Sequence, residues 1–205
     1  MRMIVLASGS PRRKELLAQA GLEFVVETSD VPEDLLAGEL PADYVSRLAE
    51  EKARAVFARR GGGEDLMVIG ADTCVLSGSE ILGKPANRAD AERMLGALSG
   101  RTHQVLTGVA VVSEAGAQVA VEITQVTFDV IPPSEMAAYL DTDHPMDKAG
   151  AYGIQGYAAR WIPRIEGCYF NVMGLPIART ISLIGLAKDK LAKPPLDPEA
   201  TVNVA

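Results

Sequence analysis

The apolar run LMVIGA at residues 66–71 is the sequence feature that most constrains the fold. Its six residues offer no polar side chain to either face of a strand. Such a strand needs cover on both faces, as in α/β sheets that carry helices on both sides. The run therefore predicts an internal strand that ends at Asp72. The small residues Gly70 and Ala71 beside this carboxylate are expected to leave space for a ligand.

Strand-like and helix-like segments alternate along the rest of the chain. Apolar runs bounded by turn residues predict strands, and apolar residues spaced along one helix face predict helices. The predicted strands cover residues 3–6, 22–27, 74–76, 80–82, 104–113 and 117–130, and Trp161 falls in a hairpin-like region. The predicted helices cover residues 11–20, 41–60, 89–98, 134–140 and 175–191. This interleaving predicts an α/β fold with a mixed sheet.

Residues 1–191 are predicted to form one domain. The sequence contains no internal repeat and no Ser/Gly-rich linker, and 48% hydrophobic residues in a chain of 205 are enough for a full core. From Lys193 the sequence becomes rich in proline. Residues 192–205 are therefore predicted to be a flexible C-terminal tail.

Charge and cysteine content exclude several classes of protein. Twenty Lys and Arg stand against 27 Asp and Glu, a net charge of −7, which disfavours extensive contacts with nucleic-acid backbones. Cys74 and Cys168 have neither the spacing of a zinc site nor that of a disulfide framework, so a reducing compartment is expected. No apolar stretch approaches the ~20 residues that cross a bilayer. These features predict a cytoplasmic protein without a membrane partner.

The segment ASGSPRRKELL at residues 7–17 carries three positive charges at the start of a predicted helix. A helix N-terminus already carries a partial positive charge, so these cations are unfavourable there unless an anion binds. Free N–H groups together with fixed cations favour phosphate. The alternative is a solvated basic turn in which Ser10 caps the helix and Pro11 occupies its first position.

Two glycine-rich segments do not match nucleotide-binding loops. GSEILGK at residues 78–84 follows the P-loop pattern, but Pro85 replaces the Ser or Thr whose hydroxyl would reach Mg²⁺. In GAYGIQG at residues 150–156 the glycines recur every third residue, which differs from the G-x-G-x-x-G pattern of dinucleotide-binding folds. Neither segment therefore predicts such a site.

Charged residues elsewhere fit phosphoryl or nucleotidyl transfer. Cations that neutralise a polyphosphate and carboxylates that hold a divalent metal and activate water are the groups such a reaction needs. Asp72 is the strongest candidate acid, although a turn aspartate is the alternative; Glu33 lies in an acidic loop. Asp147, Lys148 and Gln155 are candidates to complete the pocket, since the amide of Gln155 offers a donor and an acceptor to a base edge. The candidate cations are Arg12, Arg13, Lys52 and Lys84.

Seven short motifs connect the chain with a known family. They are LASGSPRR at residues 6–13, EKA at 51–53, IGADT at 69–73, GKP at 83–85, LSGRTH at 98–103, DKAGAYGIQG at 147–156 and VMGLP at 172–176. On these motifs the chain resembles the Maf family of nucleotide pyrophosphatases over about residues 4–190.

The resemblance implies an elongated mixed sheet flanked by helices, with a central cleft between two lobes, as in inosine triphosphate pyrophosphatases. It implies hydrolysis of a nucleoside triphosphate to the monophosphate and pyrophosphate with Mg²⁺ or Mn²⁺, and a homodimer. Asp72 corresponds to the family's proton acceptor, and Asp72 and Glu33 are candidate metal ligands; the sequence leaves open whether Asp72 takes the proton or holds the metal. The other polar residues that the resemblance associates with catalysis, phosphate or metal are Ser8, Ser10, Arg13, Lys52 and Lys84.

Three positions sort the family by substrate. A subgroup associated with 7-methyl-GTP carries Trp, Gln and Glu at the positions of Arg12, Thr73 and Gln155, so this chain resembles the subgroup that acts on dTTP and UTP. The family has also been linked to inhibition of septum formation, and the alternative function is a nucleotide-binding regulator of cell division with little turnover.

Overall fold

A computed structural model of the chain describes residues 2–142 and 145–192. Its helices are α1 (Pro11–Gln19), α2 (Pro41–Arg59), α3 (Arg88–Leu98), α4 (Pro133–Leu140), α5 (Tyr169–Val172) and α6 (Ile177–Ala192). Its strands are β1 (Met3–Leu6), β2 (Val25–Val26), β3 (Leu66–Ser77), β4 (Glu80–Leu82), β5 (Thr102–Ser113), β6 (Gly116–Thr127) and β7 (Arg164–Glu166). None of the helices in these ranges is long and apolar enough to cross a membrane. The predicted tail from Lys193 onward lies outside the described residues.

The seven strands of the described chain form one mixed sheet. Its order is β2-β1-β3-β5-β6-β7, with β4 paired to β3. β1 runs parallel to β2 and β3, whereas the pairs of β3 with β4 and β5, of β5 with β6 and of β6 with β7 are antiparallel. The mixed sheet flanked by helices confirms the predicted fold class.

The prediction that Asp72 ends the central strand is wrong, because β3 continues to Ser77. β5 pairs with β3 without interruption from Val68 to Leu76, so the ladder holds the strand extended through the acid. On the opposite edge, β1 pairs only as far as Ile69 and β4 begins only at Val75. Within the described part of the chain, the edge of β3 between these two residues therefore lacks a neighbouring strand, and a cleft opens there.

Two glycines let helix α2 lie unusually close to the sheet beside Asp72. A Cβ atom on Gly70 would lie 2.1 Å from the carbonyl oxygen of Ala49, and one on Gly108 would lie 2.2 Å from that of Val45. Either contact is far shorter than van der Waals distance. The space beside Gly70, which the sequence suggested for a ligand, is thus filled by the backbone of α2.

The buried apolar side chains form separate clusters on the two sides of the cleft. On one side, residues of β1 and the first half of β3 pack with α1 and α6 on one sheet face and with α2 on the other. On the other side, Val75 and Leu82 pack with α3, α4 and the aromatic residues Phe128 and Trp161. Trp161 ends a short 3₁₀ helix, Tyr157–Trp161, rather than lying in the predicted hairpin. The predicted strand at residues 22–27 is reduced to β2 because only two residues pair with β1.

Candidate active site

The cleft has a volume of about 810 Å³ and is lined from both sides. One wall comes from the β1–α1 turn, the acidic loop that carries Glu33, and α2. The other wall comes from Gly83 and Lys84, which follow β4, and from the glycine-rich segment at residues 147–156. The cleft brings together all twelve predicted site residues, namely Ser8, Ser10, Arg12, Arg13, Glu33, Lys52, Asp72, Thr73, Lys84, Asp147, Lys148 and Gln155.

Lys52 lies between two carboxylates. Its Nζ atom donates to Asp72 Oδ1 at 2.7 Å and to Glu33 Oε1 at 2.5 Å. Lys52 and Asp72 are each only 7% exposed. Lys52 belongs to the buried stripe of α2, with Val45, Leu48 and Val56, so the helix carries its ammonium group directly to β3. An unpaired charge at this depth would be costly, and the two carboxylates compensate it.

The two carboxylates differ in basicity. Burial raises the pKa of Asp72, and the charges of Lys52 and Arg13 offset only part of that rise. For Glu33, burial acts in the same direction, but its hydrogen bond to Lys52 and the nearby cations outweigh it and lower the pKa. Asp72 is therefore the better proton acceptor of the pair.

Tyr44, on α2, is a cleft residue that the sequence did not predict. Its hydroxyl donates to the carbonyl oxygen of Glu33 at 2.9 Å, and Arg47 donates to the carbonyl oxygen of Asp34 at 3.0 Å. Burial, with the charges of Asp72 and Glu33, raises the pKa of Tyr44 to about 12, so the phenol keeps its proton. The first turns of α2 thereby hold the acidic loop in position.

Cys74 is a second cleft residue that the sequence did not predict. Its thiol is buried in the wall beside Asp72. Burial and the charge of Asp72 raise the pKa of Cys74 to about 12. The group therefore stays a neutral thiol, which is a poor nucleophile and a poor metal ligand.

Arg13 bridges the strands and loops at the floor of the cleft. Its Nε donates to Gly174 O at 2.8 Å, its Nη1 to Ser8 Oγ at 3.1 Å and to Ala71 O at 2.9 Å, and its Nη2 to Thr73 Oγ1 at 3.0 Å. The bond to Ala71 fills part of the open edge of β3. Burial lowers the pKa of Arg13, but the charges of Asp72 and Glu33 oppose this effect.

The start of α1 borders the cleft without a side-chain cap. Ser10 occupies the N-cap position with extended backbone, but its side chain caps no helix N–H group, which contradicts the alternative role for Ser10. Pro11 is the first helical residue, as predicted. Ser8 is buried, and its oxygen accepts from Ser10 N at 3.3 Å as well as from Arg13. The helix end therefore keeps the character of an anion site.

Arg12 and Asp147 face each other across the cleft. Arg12 Nη1 lies 3.7 Å from Asp147 Oδ2, a loose ion pair between α1 and the glycine-rich segment. Gln155 and Lys84 are exposed in the lining and make no hydrogen bond or ion pair with the described residues. Their side chains are thus available to a ligand. Lys14, by contrast, is exposed outside the cleft.

The carboxylates of the cleft suit a hard divalent cation that is held mainly by the phosphate groups of a bound nucleotide. Within residues 2–142 and 145–192, no group of three or more His, Cys, Asp or Glu residues converges as a metal site. Asp72 and Glu33 do converge, on Lys52. Two carboxylates completed by phosphate oxygens match the way proteins bind Mg²⁺.

The chain is similar to known proteins over most of its length. The model of the Maf-like protein family matches residues 3–187. A dTTP/UTP pyrophosphatase from Hahella chejuensis is 48% identical over 183 residues, covering 89% of this chain and 91% of the relative. A dTTP/UTP pyrophosphatase from Symbiobacterium thermophilum is 52% identical over 184 residues, covering 90% of this chain and 93% of the relative.

A structural likeness is more distant. The crystal structure of a nucleoside-triphosphatase / dITP/XTP pyrophosphatase from Mycobacterium abscessus matches with a TM-score of 0.43 at 18% identity, covering 91% of this chain and 97% of that one. No conclusion about activity follows from a likeness at this level. The family assignment stands on the sequence match across the domain and on the relatives at about half identity. This chain belongs to the Maf-like protein family.

Proposed function

We propose that this protein hydrolyses dTTP and UTP to the nucleoside monophosphate and pyrophosphate, as the names of its relatives state for them. The observation that carries the proposal is the triad of Glu33 with the buried Asp72 and Lys52, in a cleft that Arg13 and Lys84 also line. Carboxylates and cations at one site are what hydrolysis of a phosphoanhydride requires. The expected role is removal of unwanted nucleotides.

In this proposal Asp72 accepts the proton of the attacking water. Its raised pKa makes it a stronger base than an exposed aspartate, and its position at the open edge of β3 leaves it facing the cleft. Lys52 holds the Asp72 carboxylate in one orientation through its 2.7 Å hydrogen bond. The α–β phosphoanhydride bond breaks as water attacks the α-phosphorus, and pyrophosphate leaves.

The cations of the cleft stabilise the charge that develops on pyrophosphate. Arg13 is fixed by its hydrogen bonds and Lys84 extends from the opposite wall, so the triphosphate lies between the two. The uncapped start of α1, with Ser8 and Ser10, adds backbone and hydroxyl groups on the same side. Preorganised charges of this kind are most effective where water is excluded.

Asp72 and Glu33 are the residues that would hold Mg²⁺ or Mn²⁺. Such an ion, when bound, supplies charge neutralisation of the phosphates and lowers the pKa of water. Lys52 binds one oxygen of each carboxylate, Oδ1 of Asp72 and Oε1 of Glu33, so the second oxygen of each would be available to the ion. Glu33 is the more exposed of the two, with 47% of its side chain accessible against 10% for Asp72.

Arg12, Thr73 and Gln155 are proposed to set the preference for pyrimidine nucleotides. The exposed amide of Gln155 offers one donor and one acceptor, which complement the carbonyl and N–H edge of uracil or thymine. Arg12 lies at the mouth of the cleft, where binding of a nucleotide competes with its ion pair to Asp147. We propose further that the enzyme works as a cytoplasmic homodimer, without a membrane or nucleic-acid partner.

Release of pyrophosphate over a panel of nucleotides with Mg²⁺ or Mn²⁺ tests the proposal. dTTP and UTP are expected to be hydrolysed, and Asp72→Asn is expected to lower turnover by ~10²-fold or more, the range for a lost general base. Arg54→Gln, at an exposed ion pair on the far side of α2, is the matched control. Nucleotide binding without release of product by the wild-type protein would instead support the regulator of cell division.

A further inference from the structure

A chain of hydrogen bonds runs from Arg13 into the core. Arg13 Nη2 donates to Thr73 Oγ1 at 3.0 Å, Thr73 Oγ1 lies 3.0 Å from Thr107 Oγ1, and Thr107 Oγ1 donates to Asn171 O at 3.1 Å. Thr73 and Thr107 are direct cross-strand partners on β3 and β5. Thr107 and Asn171 are fully buried. The chain therefore joins a cleft cation to residues that no nucleotide can touch.

The direction of every bond in this chain is fixed. A hydroxyl has one hydrogen to donate, and that of Thr107 is used on the carbonyl of Asn171, which can only accept. Thr73 must therefore donate to Thr107, and its remaining acceptor capacity is used by Arg13. Bonds aligned in one direction polarise one another and hold a single arrangement.

The far end of the chain is anchored firmly. Asn171 Nδ2 donates to Val105 O and to Thr124 Oγ1, each at 2.9 Å. Three residues further on, Gly174 donates its N–H to Asn171 O at 2.9 Å, and its own carbonyl accepts from Arg13 Nε. The turn after α5 therefore fixes the guanidinium twice, once directly and once through the two threonines.

We propose that Thr107 is a positioning residue that sets the orientation of the Arg13 guanidinium through Thr73. Four of the five N–H groups of Arg13 are engaged with protein acceptors, so the remaining N–H on Nη2 has one direction in which to meet a phosphate oxygen. The bond from Nη2 to Thr73 decides that direction.

The same geometry gives Thr73 an indirect role in choosing the substrate. Its hydroxyl is already engaged with Arg13 and Thr107, so it acts on the nucleotide through the guanidinium. This inference rests on the proposed function, because it takes Arg13 to bind the triphosphate.

Thr107→Val tests the proposal, since valine keeps the branched shape but neither donates nor accepts. We expect kcat/KM for dTTP to fall about tenfold, because valine removes both hydrogen bonds of Thr107, to Thr73 and to the Asn171 carbonyl. Thr107→Ser, which restores the hydroxyl, should recover most of the loss. In an Arg13→Lys background, where the forked geometry is already gone, Thr107→Val should cause no further loss.

Thr180→Val is the matched control. Thr180 is also fully buried and donates to a carbonyl, that of Pro176, but it lies outside the series of hydrogen bonds that runs from Arg13 to Asn171. Equal losses of kcat/KM in Thr107→Val and Thr180→Val, or additive losses with Arg13→Lys, would overturn the proposal.

A readout that does not need activity separates this proposal from the proposed function. In protein labelled with ¹⁵N-arginine, the signal of the Arg13 Nη2–H that donates to Thr73, assigned by its loss in Arg13→Lys, should exchange slowly with solvent. It should exchange faster in Thr107→Val and slowly again in Thr107→Ser. Unchanged exchange in Thr107→Val would overturn the positioning role even if the protein hydrolysed no nucleotide, whereas absent hydrolysis with the expected exchange pattern would contradict only the proposed function.

Discussion

Lys52 is a charged residue on the buried face of a helix, and two carboxylates contact its ammonium group. The sequence alone makes it an ordinary helical lysine. The motif EKA and the resemblance single it out, but only the approach of α2 to β3 gives it Asp72 as a partner 20 residues away. Its chemistry therefore depends on packing as much as on its identity.

Gln155→Glu tests whether this side chain reads the base. A carboxylate loses the N–H donors of the amide and repels the carbonyl oxygens of uracil and thymine, so turnover of dTTP and UTP should fall about tenfold relative to guanine nucleotides. The comparison uses kcat/KM for each nucleotide. Gln118→Glu, on β6 outside the cleft, is the control. An unchanged preference profile would show that Gln155 does not contact the base.

His103 makes the stability of the fold depend on pH. It is 3% exposed, and burial lowers the pKa of His103 from 6.5 to about 4. Between these values the unfolded chain binds a proton that the folded protein does not, so the free energy of unfolding decreases as pH falls from 6.5 to about 4. The loss amounts to about 1.4 kcal/mol per pH unit, or about 3 kcal/mol over the window.

Urea unfolding of the wild type and of His103→Gln near pH 7 and near pH 5 measures this contribution. The glutamine amide can keep the hydrogen bond to Tyr152, 2.8 Å from His103 Nε2, without titrating. The wild type should lose about 2 kcal/mol more than the variant between the two conditions. Equal losses would mean that His103 has the same pKa in the folded and unfolded states.

Helix α2 and strand β3 form the element pair on which the site depends, and Gly70 sets the distance between them. Gly70→Ala should destabilise the protein by at least about 2 kcal/mol, because its Cβ would overlap the backbone of α2, which must move away with Lys52. Activity should fall with the displacement of Lys52. Urea unfolding and dTTP hydrolysis measure the two effects.

Gly96→Ala is the control for the glycine substitution. Gly96 lies exposed in α3, and a Cβ there would meet nothing within 4 Å. This change should leave activity intact and stabilise the helix by about 1 kcal/mol or less. A Gly70→Ala variant as stable and active as Gly96→Ala would contradict the close approach of α2 to the sheet.

Most elements were predictable because their signals are local. Strands were predicted at residues 74–76 and 80–82, and the structure joins these segments as a hairpin that pairs Ser77 with Glu80 across a two-residue turn. Helix starts at Pro11 and Pro41 were also predicted correctly. The end of β3 was predicted wrongly, because the polar side chain of Asp72 suggested that the strand ends there. In the structure, β3 pairs with β5 past Asp72, and Lys52 compensates the charge of that residue.

At the scale of the whole molecule, charge is distributed unevenly. The chain carries a net charge of −7, yet five of the cleft residues, Arg12, Arg13, Lys52, Lys84 and Lys148, are cations. They come from α1, α2, the segment after β4 and the segment at residues 147–156, and no charge count along the sequence would place them together. The fold gathers them around the open edge of β3, against a background that repels nucleic acid.

The order of the elements, the apolar central strand and the motifs that carry the family's charged residues are all visible in the sequence. These properties follow from side-chain types and spacing over a few residues. Tertiary packing sets where β1 stops and β4 begins along β3, which creates the cleft. Tertiary packing alone connects Arg13 through Thr73 to Thr107 and Asn171, because contacts between residues 60, 34 and 64 positions apart arise from strand pairing and packing rather than from local preference.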